Sequence, residues 1–302
     1  MAVLNAHHSE ADIDRELGSI SVAEIFSHFK IKPGHWSYYL LKPLLWLPSR
    51  RFGQLAARFD RLVGEVGLNQ AMRSIQRRFI TRIETTGQSN VPAEGPLLIV
   101  SNHPGAADSV ALLSTIPRED IHIMVSDRPI LRALTHTSRY FIFLNQQVTN
   151  RMEALRGVVR ALRGGETVLI YPGGSIEPDP AMIPGAVDAL KLWSRSIGLF
   201  LSKVPYVNLM PVVVSGAFSP QAWRHPLSQS GRTVRERQQI AMIFQATIQQ
   251  FFPNLWPVTT WVHFAPPITP LELDADLHPD HLYQAAIEYT YHLMASVAKG
   301  NF

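Results

Sequence analysis

Two spacings of apolar residues divide this chain. From about residue 80 onward, short β-branched runs bounded by Pro, Gly, Asn and Ser predict strands at 79–85, 97–101, 121–125, 140–144, 167–171, 209–214 and 258–264. Between them, apolar residues recur every three to four positions, which predicts helices near 106–116, 129–137, 150–163, 184–202, 232–251 and 280–298. In 150–163 the stripe is Met152, Leu155, Val158, Val159 and Leu162, and Gly164-Gly165 ends it. Strand and helix alternating in this way predict an α/β fold, a mainly parallel sheet flanked by helices.

The chain before residue 80 is patterned differently. Residues 1–20 read as loosely structured, and helices are expected in 21–30, 36–48 and 51–79. The last of these carries the stripe Phe52, Leu55, Phe59, Leu62, Val66 and Leu68. Two regions follow: 1–79, helical, and 80–302, the α/β domain.

Charge sharpens the division. Between Lys30 and Arg82 only Asp60 and Glu65 oppose a long series of Lys and Arg, and Trp36–Pro48 is rich in Trp, Tyr and Leu. Basic residues beside an aromatic and aliphatic stretch predict a membrane-associating segment lying on one anionic leaflet. Nucleic acid competes for such a patch, but no nucleic-acid motif accompanies it and the Leu and Trp neighbours favour lipid, so no nucleic-acid partner is expected. No run reaches the roughly 20 apolar residues needed to span a bilayer. The uncharged stretches Pro96–Ala107 and Val204–Trp223 are broken by Pro and Gly and read as strands with their loops. Met1–Gly18 is too charged for a signal peptide. A peripheral place on the cytoplasmic side of a membrane is therefore expected.

Composition narrows the chemistry. The chain has no cysteine, which excludes disulfides, thiolate metal sites and a cysteine nucleophile. At 46% hydrophobic and 17% charged residues it is a globular protein with a lightly charged surface. No metal site is expected: His278 and His281 flank Asp280 as surface histidines at a helix start, and His7-His8 lies in the terminus.

The most telling segment is Ser101-Asn102-His103-Pro104-Gly105-Ala106-Ala107-Asp108, directly after the apolar run 97–100. Pro104 keeps His103 out of helical geometry, so a strand ends by presenting an imidazole. Asp108 falls in the first turn of the next helix, where the positive helix end favours its ionised form. A carboxylate there would accept one imidazole N–H and leave the other nitrogen as a base. A helix-capping Asp beside a surface His is the alternative. Two more apolar strands end in unusual loops, Pro172-Gly173-Gly174-Ser175-Ile176-Glu177 and Ser215-Gly216. Carboxyl ends of parallel strands line ligand crevices, so these loops are expected to face His103.

In this order the segments resemble the glycerolipid acyltransferase superfamily, typified by lysophosphatidate acyltransferase. Asn102, His103 and Asp108 match its Asn-His-x4-Asp block, Tyr171–Ser175 its third block, and Met210-Pro211-Val212-Val213-Val214 its fourth. The likeness covers roughly residues 80 to 220. It implies direct acyl transfer from a thioester, acyl-CoA or acyl-carrier protein, to a lipid hydroxyl, with no cofactor. His103 would be the base and Asp108 its orienting partner; Pro172, Gly173, Gly174, Ser175, Glu177 and Pro211 would bind substrate. The Gly173-Gly174 turn is a candidate for the oxyanion donors. There are departures. Phe141–Leu144 is followed by Asn145-Gln146-Gln147, with the next Arg at 151, and no Arg follows Ser175. Pro172-Gly173-Gly174-x-x-Glu177 instead resembles the block of monoacylglycerol and diacylglycerol acyltransferases. The acceptor is then a hydroxyl with little need of an adjacent phosphate, unless Arg139 or Arg151 substitutes. Glu177 would accept a second substrate hydroxyl or make a structural bond within its loop. A lipid hydrolase or thioesterase, or a non-catalytic lipid-binding relative, remains the alternative.

Overall fold

A computed structural model describes residues 36–145, 148–253 and 255–300. The expectations for 1–20 and 21–30, and for His7-His8, lie outside these residues. In chain order the elements are α1 (Trp36–Val66), α2 (Leu68–Phe79), β1 (Arg82–Thr86), β2 (Leu97–Ser101), α3 (Ala106–Thr115), β3 (Ile121–Ser126), α4 (Pro129–Ala133) and β4 (Phe141–Leu144). There follow α5 (Val148–Arg163), β5 (Thr167–Ile170), α6 (Ala186–Ala189), α7 (Ser196–Lys203), β6 (Asn208–Ser215), α8 (Pro220–Arg224) and α9 (Pro226–Gln229). The chain closes with α10 (Val234–Gln249), β7 (Thr259–Phe264), α11 (Pro270–Leu273) and α12 (Pro279–Ala298).

All seven expected strands form, in one sheet of order β1-β7-β6-β2-β5-β3-β4. The five from β6 to β4 are parallel, whereas β7 runs antiparallel to β6 and pairs in parallel with β1. β2 is buried along its whole length and carries core on both faces, which is why its sequence is continuously apolar rather than alternating. Leu98 and Val100 join Val168, Ile170, Leu209 and Val213 in the main core, closed by Phe200 of α7 and Leu282 and Met294 of α12.

Packing separates two compact units, one reaching to Ala71 and including Asp127–Arg139, the other holding Met72–Ser126 and the chain from Tyr140. Compactness thus divides near residue 71 rather than 79. In the first unit the buried Asp60 carboxylate accepts hydrogen bonds from the Thr137 and His136 amides and from the Thr137 and Thr135 hydroxyls.

Four expected helices have different limits. The helix begun at 36 continues through Pro48, and the 51–79 stretch breaks at Gly67, whose φ of 82° caps α1 through a bond from its amide to the Val63 carbonyl. The 184–202 stretch is not one helix: Trp193 is extended (ψ 143°) and divides a short turn from α7. The 129–137 stretch ends as a helix at Ala133.

Candidate active site

β2 sits where the chain's connections diverge, with β5 on one side and β6 on the other. In open parallel sheets that position makes a crevice at the carboxyl ends of the strands. Three loops meet there. Asn102 fixes the first: its amide nitrogen donates to the Val214 carbonyl and its amide oxygen accepts the Val214 N–H, both at 2.8 Å, so the end of β2 is clamped to β6. The next residue is His103.

His103 and Asp108 are brought together as expected. The ring's Nδ1 lies 2.8 Å from Asp108 Oδ2, which also accepts the Gly105 N–H at 2.8 Å. Asp108 Oδ1 accepts the Ser109 hydroxyl, leaving Ser109 Oγ to accept from Tyr171 Oη at 3.0 Å. Asp108 is fully buried, whereas the His103 side chain is 28% exposed. With Nδ1–H directed at the carboxylate, Nε2 carries the lone pair, and it has no hydrogen-bond partner among the described residues. The Tyr171 ring lies against the imidazole, centroids 4.7 Å apart, and fixes its plane.

The electrostatics match this geometry. Burial opposes a charged imidazole, but the charge and hydrogen bond of Asp108, helped by Glu177, outweigh it and hold the His103 pKa above 6.5. Burial, together with the Asp108 charge, pushes the Tyr171 hydroxyl well above 10, so it remains a neutral donor.

The Pro172–Glu177 loop builds the wall behind His103. Glu177 Oε2 accepts the His103 N–H at 2.9 Å, the Glu177 N–H returns a bond to the His103 carbonyl, and Oε1 accepts the Trp193 indole N–H at 2.6 Å. Only 6% of Glu177 is exposed, and burial raises its pKa to about 7 despite these donors. Both oxygens accept hydrogen bonds from other segments, so Glu177 ties its loop to His103 and to Trp193. Gly173 is required by the same carboxylate, since a Cβ there would lie 2.5 Å from Glu177 Oε1. Gly174 turns the chain at φ 64°, and its N–H donates to the Tyr171 carbonyl. The oxyanion expectation therefore narrows to the Gly173 amide. Pro172 is buried and its carbonyl accepts the Ser194 N–H, while Ser175 is half-buried at the loop's turn.

Pro211, expected to bind substrate, is buried inside β6, opposite Val100. Its carbonyl accepts the Ala265 N–H, and its missing N–H falls where Pro266-Pro267 interrupt the β6–β7 ladder. That gap lets a central strand carry a proline.

Two residues that sequence reasoning passed over complete the site. Asp179, fully buried, accepts the Gly216, Ala217 and Ala181 amides and ties the Glu177 loop to the end of β6; burial raises its pKa. Gln238 of α10 donates to the carbonyls of Pro104 and Glu177, both at 2.7 Å, joining the two loops from above. The acidic cluster Glu177-Pro178-Asp179 signalled the first, but nothing in the sequence signalled Gln238. Among the described residues no three His, Asp or Glu side chains are placed to hold a metal, and no helix is long and apolar enough to cross a membrane.

No curated protein matches the chain. The crystal structure of the 1-acyl-sn-glycerophosphate (LPA) acyltransferase PlsC from Thermotoga maritima is similar at 13% identity, covering 97% of this chain and 96% of that one with a TM-score of 0.47. The acyltransferase family model matches residues 82–215, the span from β1 to the end of β6 that holds His103, Asp108 and the Pro172–Glu177 loop. Over that span the chain is similar to the acyltransferase family.

Proposed function

We propose that the protein is a glycerolipid or lysophospholipid O-acyltransferase that draws its acyl group from a thioester, acyl-CoA or acyl-carrier protein. The observation that carries this reading is the His103–Asp108 pair with Nε2 open at the sheet's carboxyl edge. Nε2 takes the proton of the acceptor hydroxyl as the oxygen attacks the thioester carbonyl. Asp108 holds the ring and stabilises the imidazolium, as in a Ser-His-Asp triad whose hydroxyl comes from the substrate. The Gly173 amide donates to the developing oxyanion. The imidazolium then returns the proton to the departing thiolate, which leaves ester and thiol as products.

The acceptor in this reading depends little on a phosphate. Arg139 precedes β4 and so lies at the strand's amino end, whereas Arg151 stands exposed in the first turns of α5, past the carboxyl end. Arg151 is therefore the better substitute for the arginine absent after Leu144. The membrane-associating role of 1–79 is part of the proposal: Tyr39, Trp46, Leu47 and Phe52 of α1 are exposed, and the Arg50 guanidinium lies 5.5 Å over the Trp46 ring. The test is side-by-side transfer to lysophosphatidate and monoacylglycerol from acyl-CoA and acyl-carrier protein. We expect ester product on a lipid hydroxyl from one donor, abolished by His103→Ala. Free fatty acid as sole product, with no acylated lipid, would make the protein a thioesterase instead.

A further inference from the structure

The longest uncharged stretch of the chain lies beside the catalytic loop. From Gln238 to Leu271 there is no Asp, Glu, Lys or Arg, in a chain that averages 17% charged residues. α10 supplies the first half of it. The helix buries Gln238, Ala241, Gln245 and Gln249 on one side. On the opposite side, Ile240, Ile243 and Thr247 are half-buried and fall within about 60° of one another at 100° per residue. This inverts the usual surface helix, which turns charge outward and apolar residues inward. Around it Leu227, Val234, Phe252 and Leu255 are each half or more exposed. Leu227 and Leu255 flank a cluster in which the His225 and Trp256 rings pack on Phe244 at 4.4 and 5.4 Å. Charge collects only at the edges: Arg224, Arg232 and Arg235 are exposed, and none is in an ion pair among the described residues. The nearby carboxylate, Glu236, is occupied in capping α10, accepting the amides of Arg232 and Thr233.

We propose that the outer face of α10, with the exposed Leu227, Val234, Phe252 and Leu255 around it, is a lipid-contacting surface that seats the α/β unit on an anionic leaflet. The apolar side chains enter the boundary between headgroups and acyl chains, and the rim of arginines meets lipid phosphates. The proposal rests on the acceptor being a membrane lipid, and it gives that reading a geometry. α10 touches the catalytic loop directly, through Gln238 and through Met242, whose sulfur would lie 3.2 Å from a Cβ at Gly105.

The absence of cysteine makes the test direct, because one introduced thiol labels uniquely. Full-length Phe252→Cys and Ile243→Cys proteins would carry an environment-sensitive fluorophore, with Tyr291→Cys, on α12, as reference. On adding phosphatidylglycerol vesicles we expect a blue shift at 243 and 252, and quenching by acyl-chain-bound quenchers, but neither at 291. Arg224→Gln and Arg235→Gln should each weaken the response about fivefold at low salt. No response at 252 from protein that co-floats with the vesicles would overturn the proposal. So would emission already blue-shifted without lipid: dilution-dependent, it would show a second copy on this face, and dilution-independent, another segment of the same chain. The readout needs no turnover, so its failure is separable from failure to acylate a lipid, which the transfer assay reads.

Discussion

The two edges of the sheet hold charge in opposite ways. At the amino edge, ahead of β3, Arg118 is buried and fully engaged: it donates to both oxygens of Asp120 and to the carbonyls of Pro92, Gly95 and Gly165. Those bonds hold Asp120 below its ordinary pKa. At the carboxyl edge, His103 has one nitrogen bound and one open, and the pKa values of His103, Tyr171, Glu177 and Asp179 are all raised. A saturated charge holds loops together. Where one position is left open and the surrounding groups are shifted, the same materials are set for proton transfer.

The largest effect expected of this contrast is on rate. His103→Ala should lower acyl transfer by roughly 100- to 10,000-fold, the usual share of a general base, with the melting transition little changed. Asp108→Asn should act in the same direction, by costing the ring its orientation and its countercharge. A transfer rate near wild type in purified His103→Ala would break the comparison.

At the other edge the effect should be on stability alone. Arg118→Ala leaves three carbonyls and a carboxylate without their donor, and should cost roughly 3 kcal/mol of unfolding free energy. Denaturant titration measures this, and turnover of the folded fraction should persist.

The edges should also respond to pH with opposite signs. Folding raises the Glu177 pKa from 4.5 to about 7, so the folded state binds the extra proton in that window. Stability then falls as pH rises from about 4.5 to about 7, by up to about 3 kcal/mol. Asp120 is depressed below 3.8, so its contribution is present above that value and is lost as pH falls through the folded pKa. Asp120→Asn should flatten the acid side of a stability–pH curve. Glu177→Gln should flatten the neutral side, while weakening the fold because an amide N–H then faces the donor of either His103 or Trp193.

The smallest effect is a displacement of the rate profile. A base must be neutral, so kcat/KM should rise with pH through the elevated His103 pKa, giving an acid limb above 6.5. Removing the Glu177 charge should move that limb to lower pH. A limb that stays fixed in Glu177→Gln would show that Glu177 acts only by holding the loop.

What the sequence disclosed follows from range. Strands buried on both faces are continuously apolar, so β2, β5 and β6 were legible, and so was the meeting of His103 with Asp108 just past the end of β2. The reversal of β7 was not, because a strand's period is the same in either direction. Nor was the role of Glu177, whose partners lie 74 and 16 residues away, or that of Gln238, 134 residues from Pro104.

α10 divides two duties around its own circumference. Its inner side is pinned by the Gln238 amide to two main-chain carbonyls of the histidine and glycine loops, so it tolerates little change. Ile240, Ile243 and Thr247 on its outer side bear on none of those bonds. Altering the outer row while keeping Gln238 should therefore change what the helix presents outward without loosening the two loops it holds.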